Sequence, residues 1–167
     1  MNPHLRIEMW GTRLQCAPPG LDFGGRPCEG RASQLRQRRG RSRALPIVAR
    51  SLTVPLALKA AEQLQEQGVS CEVIDPRTIR PLDIDTIVAS VKKTNRVVIA
   101  EESHPICGVG AESSAEIMAR AFDYLDAPVK RVSGADVPMP YAKNLENLAI
   151  PDVNRIVAAV REVAYLD

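Results

Sequence analysis

Three features of residues 45–167 predict an α/β fold with a mostly parallel sheet covered on both faces. Short apolar runs recur at Ile47–Ala49, Cys71–Asp75, Arg96–Glu101 and Val129–Val132. Apolar residues at helical spacing follow each run. Pro, Gly and Asp sit at the junctions where helices begin and end. Alternation of this kind, joined by right-handed crossovers, gives a parallel sheet with helices above and below it.

The first 44 residues read differently. Residues 1–50 hold ten Arg, no Lys and three acids, a net +7, whereas residues 51–167 hold twelve basic and seventeen acidic residues, a net −5. Six of the ten glycines and four of the thirteen prolines precede Leu45, and no apolar period of 2 or 3.6 runs there. We therefore divide the chain into an Arg/Gly/Pro-rich leader, 1–44, without a core of its own, and a folded domain, 45–167. Arg, Gly, Pro and Ala without Lys is what GC-rich DNA read in a non-native frame gives, so an adventitious leader is the reading favoured. Arg36, Arg38, Arg39, Arg41 and Arg43 could serve as a phosphate-neutralising arm, but no aromatics are interleaved and nucleic acid is not expected as a partner. A mitochondrial transit peptide would be Arg-rich and acid-poor, yet this stretch is proline-rich, poor in serine and not amphipathic.

Within the domain each element has a local cause. Ile47–Ala49 is a buried strand ending near Ser51; Pro55 falls in the first turn of a helix with Ala57, Ala60, Ala61 and Leu64 on one face, and Gly68 closes it. Cys71–Asp75 is the second strand, followed by a turn through Pro76 and Pro81. Asp83 is a suitable N-cap for a helix burying Ile84, Ile87, Val88 and Val91, with Asp85 and Lys92–Lys93 placed to complement its dipole. Arg96–Glu101 is the third strand, and the next helix is expected to bury the stripe Ala111, Ala115, Met118, Phe122 and Leu125. Val129–Val132 is the fourth strand and Gly134–Tyr141 an irregular loop. A final helix starts at Pro151, read as an N1 proline, and buries Val153, Ile156, Val157 and Val160.

Function is sought first at the loop after the third strand, because ligands and partners gather outside the carboxyl ends of strands in such sheets. Glu101, Glu102, Ser103, His104 and Cys107 hold that position. Adjacent Glu101 and Glu102 point to opposite sides of a strand end, so they do not form an acid–base pair; each is expected to cap a helix or accept loop amides. His104 and Cys107 could pair as base and nucleophile, but no third group orients them, and a loop histidine with a buried thiol is the reading preferred. Gly108-Val-Gly110 opens a helix and invites a phosphate, with the third small residue of a dinucleotide fingerprint at Ser113, yet backbone turning and close packing explain both glycines. No catalytic, cofactor-binding or metal-ligating residue is assigned. Four dispersed cysteines without zinc spacing and no apolar signal region suit a reducing compartment, and no stretch approaches the ~20 apolar residues of a membrane span.

Six segments in fixed order carry a resemblance. Ala60–Leu64, Cys71–Asp83, Ala89–Arg96, Gly108–Glu112, Ala121–Val129 and Gly134–Ala142 together resemble the C-terminal domain of the beta subunit of pyruvate dehydrogenase, in the transketolase-like thiamine-diphosphate-dependent family. Asp136–Ala142 favours the pyruvate type over the branched-chain and acetoin types. The resemblance implies a three-layer α/β/α domain, mostly parallel, with an antiparallel first edge strand; no such strand is read before Leu45. It implies thiamine diphosphate and magnesium in the intact enzyme, held by an N-terminal pyrimidine-binding domain and an alpha subunit, and none for this chain alone. Implied partners are the alpha subunit, a second beta subunit and the binding domain of the dihydrolipoyl acetyltransferase, docked by position on helix Pro151–Tyr165 and Asp167. A bacterial cytoplasm, or a mitochondrial matrix, is the implied location.

Overall fold

Three short segments are apolar enough to be buried on both faces, and they form the centre of the sheet. The computed structural model describes residues 33–35 and 44–166. Strands β2 (Leu45–Ala49), β3 (Cys71–Asp75) and β4 (Val98–Ala100) are buried at every position, as a sheet covered on both sides requires. With β5 (Lys130–Val132) and β1 (Ser33–Leu35) they make a five-stranded sheet in the order β1-β3-β2-β4-β5. The last four strands in chain order are mutually parallel, with Ile47 registered on both Val73 and Val98 and Val98 on Lys130.

The edge strand expected to be absent is present. Ser33–Leu35 pairs antiparallel with β3, Ser33 opposite Asp75 and Leu35 opposite Val73. The pairing is long-range and only three residues long, and it leaves no period in the local sequence. The Arg36–Arg43 run lies outside the described residues.

Helix α1 (Thr53–Glu66) joins β2 to β3, and α2 (Ile84–Thr94) carries the chain back across β2 to β4. These crossovers run in opposite directions, so same-handed connections put α1 and α2 on opposite faces. Helix α5 (Val153–Ala164) packs beside α1, where Ala57, Ala60, Ala61 and Leu64 meet Ile156, Ala159, Val160 and Val163 over Ile47 and Val98. Helix α3 (Val109–Ala121) packs beside α2 on the other face, over Val48, Ile74 and Ile99. Two cores and one sheet give the three layers.

Local chemistry sets the helix ends. Asp83 accepts the Thr86 amide as the α2 N-cap, and Asn95 closes that helix in the left-handed region. The α5 cap is Asp152, which accepts the Arg155 amide at 2.8 Å; Pro151 is buried one position earlier and is not N1. Val153 and Val157 are only partly buried, while Ala159 and Val163 complete the core face.

Most of the stripe expected on α3 faces outward. The buried residues are Gly110, Ser113, Ile117 and Ala121, whereas Ala115 is exposed, Met118 is 41% and Phe122 64% exposed; of the expected stripe, Leu125 packs partly against the core. Glycine and serine face inward because α3 starts against the end of β4, where larger side chains have no room. A short helix, α4 (Lys143–Ala149), lies between the expected loop Gly134–Tyr141 and the last helix, where the sequence pattern predicts no element.

Candidate functional site

The strand order reverses between β2 and β4, so the crevice of the sheet lies where Arg50 and Glu101 leave their strands. Glu101 continues the ladder, its amide donating to the Val132 carbonyl at 2.9 Å, and this turns its side chain into the crevice, where it is 1% exposed. Its carboxylate accepts from the Gly110 amide at 2.8 Å, the Ser103 hydroxyl at 2.8 Å and the Arg131 guanidinium at 3.0 Å. Arg50 stands 3.8 Å away. The charge is buried because it is multiply paired and sits at the positive end of α3.

Gly108 and Gly110 follow from this placement. A Cβ at Gly108 would lie 2.7 Å from the Glu101 Oε2 and from the His104 carbonyl, and one at Gly110 would lie 2.6 Å from the Glu101 Cδ. Both glycines make room for the protein's own carboxylate. The amide that would receive a phosphate is taken by Glu101, and Ser113 turns inward to donate to the Val109 carbonyl at 2.8 Å. Among the described residues no group of three or more His, Cys, Asp or Glu could hold a metal ion. The Gly110 amide at the start of α3 is thus not open to a phosphate.

Arg131 also ties the loop down, donating to the Pro105 carbonyl at 2.6 Å. The backbone of Ser103 accepts from Gly134, and Ala135 donates to Ala149, so the loops after β4 and β5 and helix α4 form one layer at this edge. His104 is exposed, its Nδ1 3.2 Å from the Ala135 carbonyl and 3.9 Å from Asp136. Cys107 is exposed, with a φ of 56°, at the outer bend of the loop; the expectation of a buried thiol fails there. The buried thiol is Cys71 on β3, whose pKa burial pushes up to about 12. Glu102 is half-buried.

A second concavity of about 530 Å³ opens between the loops after β2 and β3, lined by Arg50, Ser51, Val54, Asp75, Arg77 and Ile79. Asp75 accepts the Arg77 amide at 3.1 Å and pairs with its Nε at 2.7 Å, so these charges close on each other. Sequence reasoning singled out neither Arg50, Arg131 nor the Asp75–Arg77 pair. The local signal for the last is an acid and a base flanking Pro76 in a tight turn, while Arg131 becomes visible only once β4 and β5 are adjacent.

Compared with known families, residues 34–156 match the transketolase C-terminal domain. The chain belongs to that family. The family match begins within β1, so the edge strand falls inside it. Transketolase C-terminal relatives of high identity include the pyruvate dehydrogenase E1 component subunit beta of Rickettsia bellii, 55% identical over 123 residues, 74% of this chain and 38% of that protein. The mitochondrial subunit beta-2 of Oryza sativa is 55% identical over 119 residues, 71% of this chain and 32% of that protein. Among solved structures, a split gene transketolase described as an inactive beta4 tetramer superposes with a TM-score of 0.63 at 30% identity, covering 75% of this chain and 39% of that one. The chain thus spans about a third of the length of the relatives it matches. The fold and the resemblance to pyruvate dehydrogenase beta subunits are both as expected.

Proposed function

We propose that these 167 residues act as the assembly half of a pyruvate dehydrogenase beta subunit and are catalytically silent alone. The observation that carries this reading is the 55% identity to the Rickettsia bellii subunit over 123 residues combined with coverage of only 38% of its length. Decarboxylation of a 2-oxoacid needs thiamine diphosphate as an electron sink and groups that ionise it. The carboxyl edge agrees with silence, since the Glu101 carboxylate is committed to Arg131 and to the first turn of α3. In this reading thiamine diphosphate and magnesium belong to the intact enzyme, and the partners are an alpha subunit, a second beta subunit and the acetyltransferase binding domain. A division into an Arg/Gly/Pro-rich leader and a folded domain is proposed, with the domain reaching back across the 1–44 boundary read from the sequence to include Ser33–Leu35. Relatives occur in bacteria and in mitochondria, and a bacterial cytoplasm is proposed here.

The test is to mix the purified chain with an alpha subunit, thiamine diphosphate, magnesium and pyruvate and to follow reduction of an artificial acceptor. No rate above that of alpha subunit alone is expected, and clear turnover would refute the proposal.

A second reading, a non-enzymatic interaction module, draws on the end of α5, where Tyr165 and Leu166 are exposed. Both readings expect a pull-down with the acetyltransferase binding domain to succeed and a Tyr165→Ala, Leu166→Ala double variant to abolish it; the second reading is favoured over the first only where that capture persists and no association with the alpha subunit is found. Asp167 lies outside the described residues.

A further inference from the structure

The concavity between the loops after β2 and β3 lies outside the network that fastens Glu101. At about 530 Å³ it falls within the roughly 300–1,000 Å³ of small-molecule sites, and it stands beside the β2–β4 switch point of the sheet. One wall is apolar, with Val54 and Pro55 from α1, Ile79 and Leu82 from the loop after β3, and Val109 from the start of α3. The charged lining residues are Arg50, Asp75 and Arg77. Asp75 holds Arg77 at 2.7 Å, and Glu101, behind the lining, is held more closely by Arg131, at 3.0 Å, than by Arg50, at 3.8 Å. Arg50 therefore brings the surplus positive charge, and its guanidinium has no hydrogen-bond acceptor among the described residues.

The rim of this concavity is fixed in advance. Thr53, fully buried, accepts from the Arg50 amide at 3.2 Å, and its hydroxyl lies 2.8 Å from the Arg50 carbonyl and 2.9 Å from the Ala100 carbonyl, which ties the base of Arg50 to the ends of β2 and β4. Ser51 and Arg77, on the two neighbouring loops, both have left-handed backbones, with φ of 52° and 56°, a conformation that is uncommon for residues other than glycine and that clusters at ligand clamps. We infer that the concavity binds a small organic monoanion, its carboxylate on Arg50 and its apolar body against Val54, Ile79 and Leu82. The guanidinium offers a planar fork matched to a carboxylate, and the apolar wall gives the rest of the molecule a surface to bury. A dianion such as phosphate meets the Asp75 carboxylate in the same lining and leaves the apolar wall unused. Binding of this kind adds no chemistry to the domain and is independent of its catalytic silence.

The probe is octanoate, titrated into the full 167-residue chain and followed by amide chemical shifts, with octanamide as its neutral isostere and inorganic phosphate as an anion without an apolar body. Saturable binding of one octanoate per chain is expected, with the largest shifts at the amides of Ser51, Val54 and Ile79, and with octanamide and phosphate each at least about tenfold weaker. Arg50→Met keeps an apolar stem and removes the charge; it should lower octanoate affinity about 10–100-fold and abolish the preference over octanamide. Because Arg50 also borders Glu101, the second variant is Ile79→Asp, at a position 56% exposed. It sets a carboxylate in the apolar wall and should weaken octanoate at least about tenfold, while circular dichroism shows the fold intact. Phe122→Ser, at an exposed position beyond α3, should leave affinity within about threefold. Lack of saturation, equal affinity for octanamide, equal shifts with phosphate alone, shifts centred on Tyr141 and Leu148, or unchanged affinity in Ile79→Asp would each overturn the assignment. Turnover is read separately by acceptor reduction, so its appearance would sink the functional proposal without touching the binding result.

Discussion

Replacing Gly110 by alanine tests the carboxylate-filled crevice directly. On an ordinary helix this change is favourable by roughly 1 kcal/mol, since alanine is the better helix former. Here the new methyl would lie 2.6 Å from the Glu101 Cδ, well inside contact distance, and the carboxylate would have to leave. Glu101 is 1% exposed and bonded to Gly110, Ser103 and Arg131 at 2.8–3.0 Å, so moving it breaks a buried ion pair, a loss of about 3–5 kcal/mol. The net expectation is destabilisation by about 2–4 kcal/mol, a drop of roughly 8–16 °C in a domain of this size. Thermal and urea unfolding followed by far-ultraviolet circular dichroism measure it. The decisive control is Gly110→Ala in a Glu101→Ala background, where the clash is gone and the helix gain remains. There the alanine should be neutral or stabilising by up to about 1 kcal/mol. Equal destabilisation in both backgrounds, or a single Gly110→Ala as stable as wild type, would refute the assignment of these glycines to carboxylate packing.

Other expectations follow from the same contacts. Asp83→Ala and Asp152→Ala each remove an N-cap and should cost about 1 kcal/mol, with Asn at either site retaining most of it; urea midpoints decide. Cys71, held near pKa 12 from a reference of 9.0, should resist iodoacetamide in the native state while Cys107 reacts, as peptide mass mapping would show. Because its folded pKa is raised, Cys71 contributes stability that is complete below pH 9 and is lost as pH climbs from 9 toward 12, by up to about 1.4 kcal/mol per pH unit. Cys71→Ala should flatten that part of the profile. Deleting residues 1–44 removes β1 and bares the edge of β3, so it should aggregate at concentrations where deletion of residues 1–32 does not, by light scattering.

Where structure has a local cause, the chain can be read without coordinates. Cys71–Asp75 and the Asp83 cap were readable because alternation of apolar and turn residues fixes them within a few positions. What failed was non-local. Periodicity found the more apolar face of α3, Ala111 to Phe122, but a period says only that one face is apolar, not whether the core or something else covers it. The true inner face contains Gly110 and Ser113 because it abuts Glu101, a fact that depends on how β4 and α3 meet. Helix α4 escaped notice because Ala149 is its only buried residue, leaving no stripe to detect. Pro151 and Asp152 illustrate a smaller miss: the helix start was placed correctly to within two residues, but the residue that caps it is the aspartate.

Ligands commonly sit at the carboxyl edge of a parallel sheet, and here that edge carries a buried carboxylate. Glu101 occupies the anion position at the start of α3 and draws Arg131 onto the Pro105 carbonyl, and Gly134 bonds to Ser103. Each contact removes a freedom from the loops after β4 and β5 without adding a group able to do chemistry. Held from beneath in this way, the layer carrying Tyr141, Met139 and Leu148 has its ordering cost met on folding. The buried carboxylate, which in isolation reads as a catalytic acid, is here the internal fastening of the loops after β4 and β5.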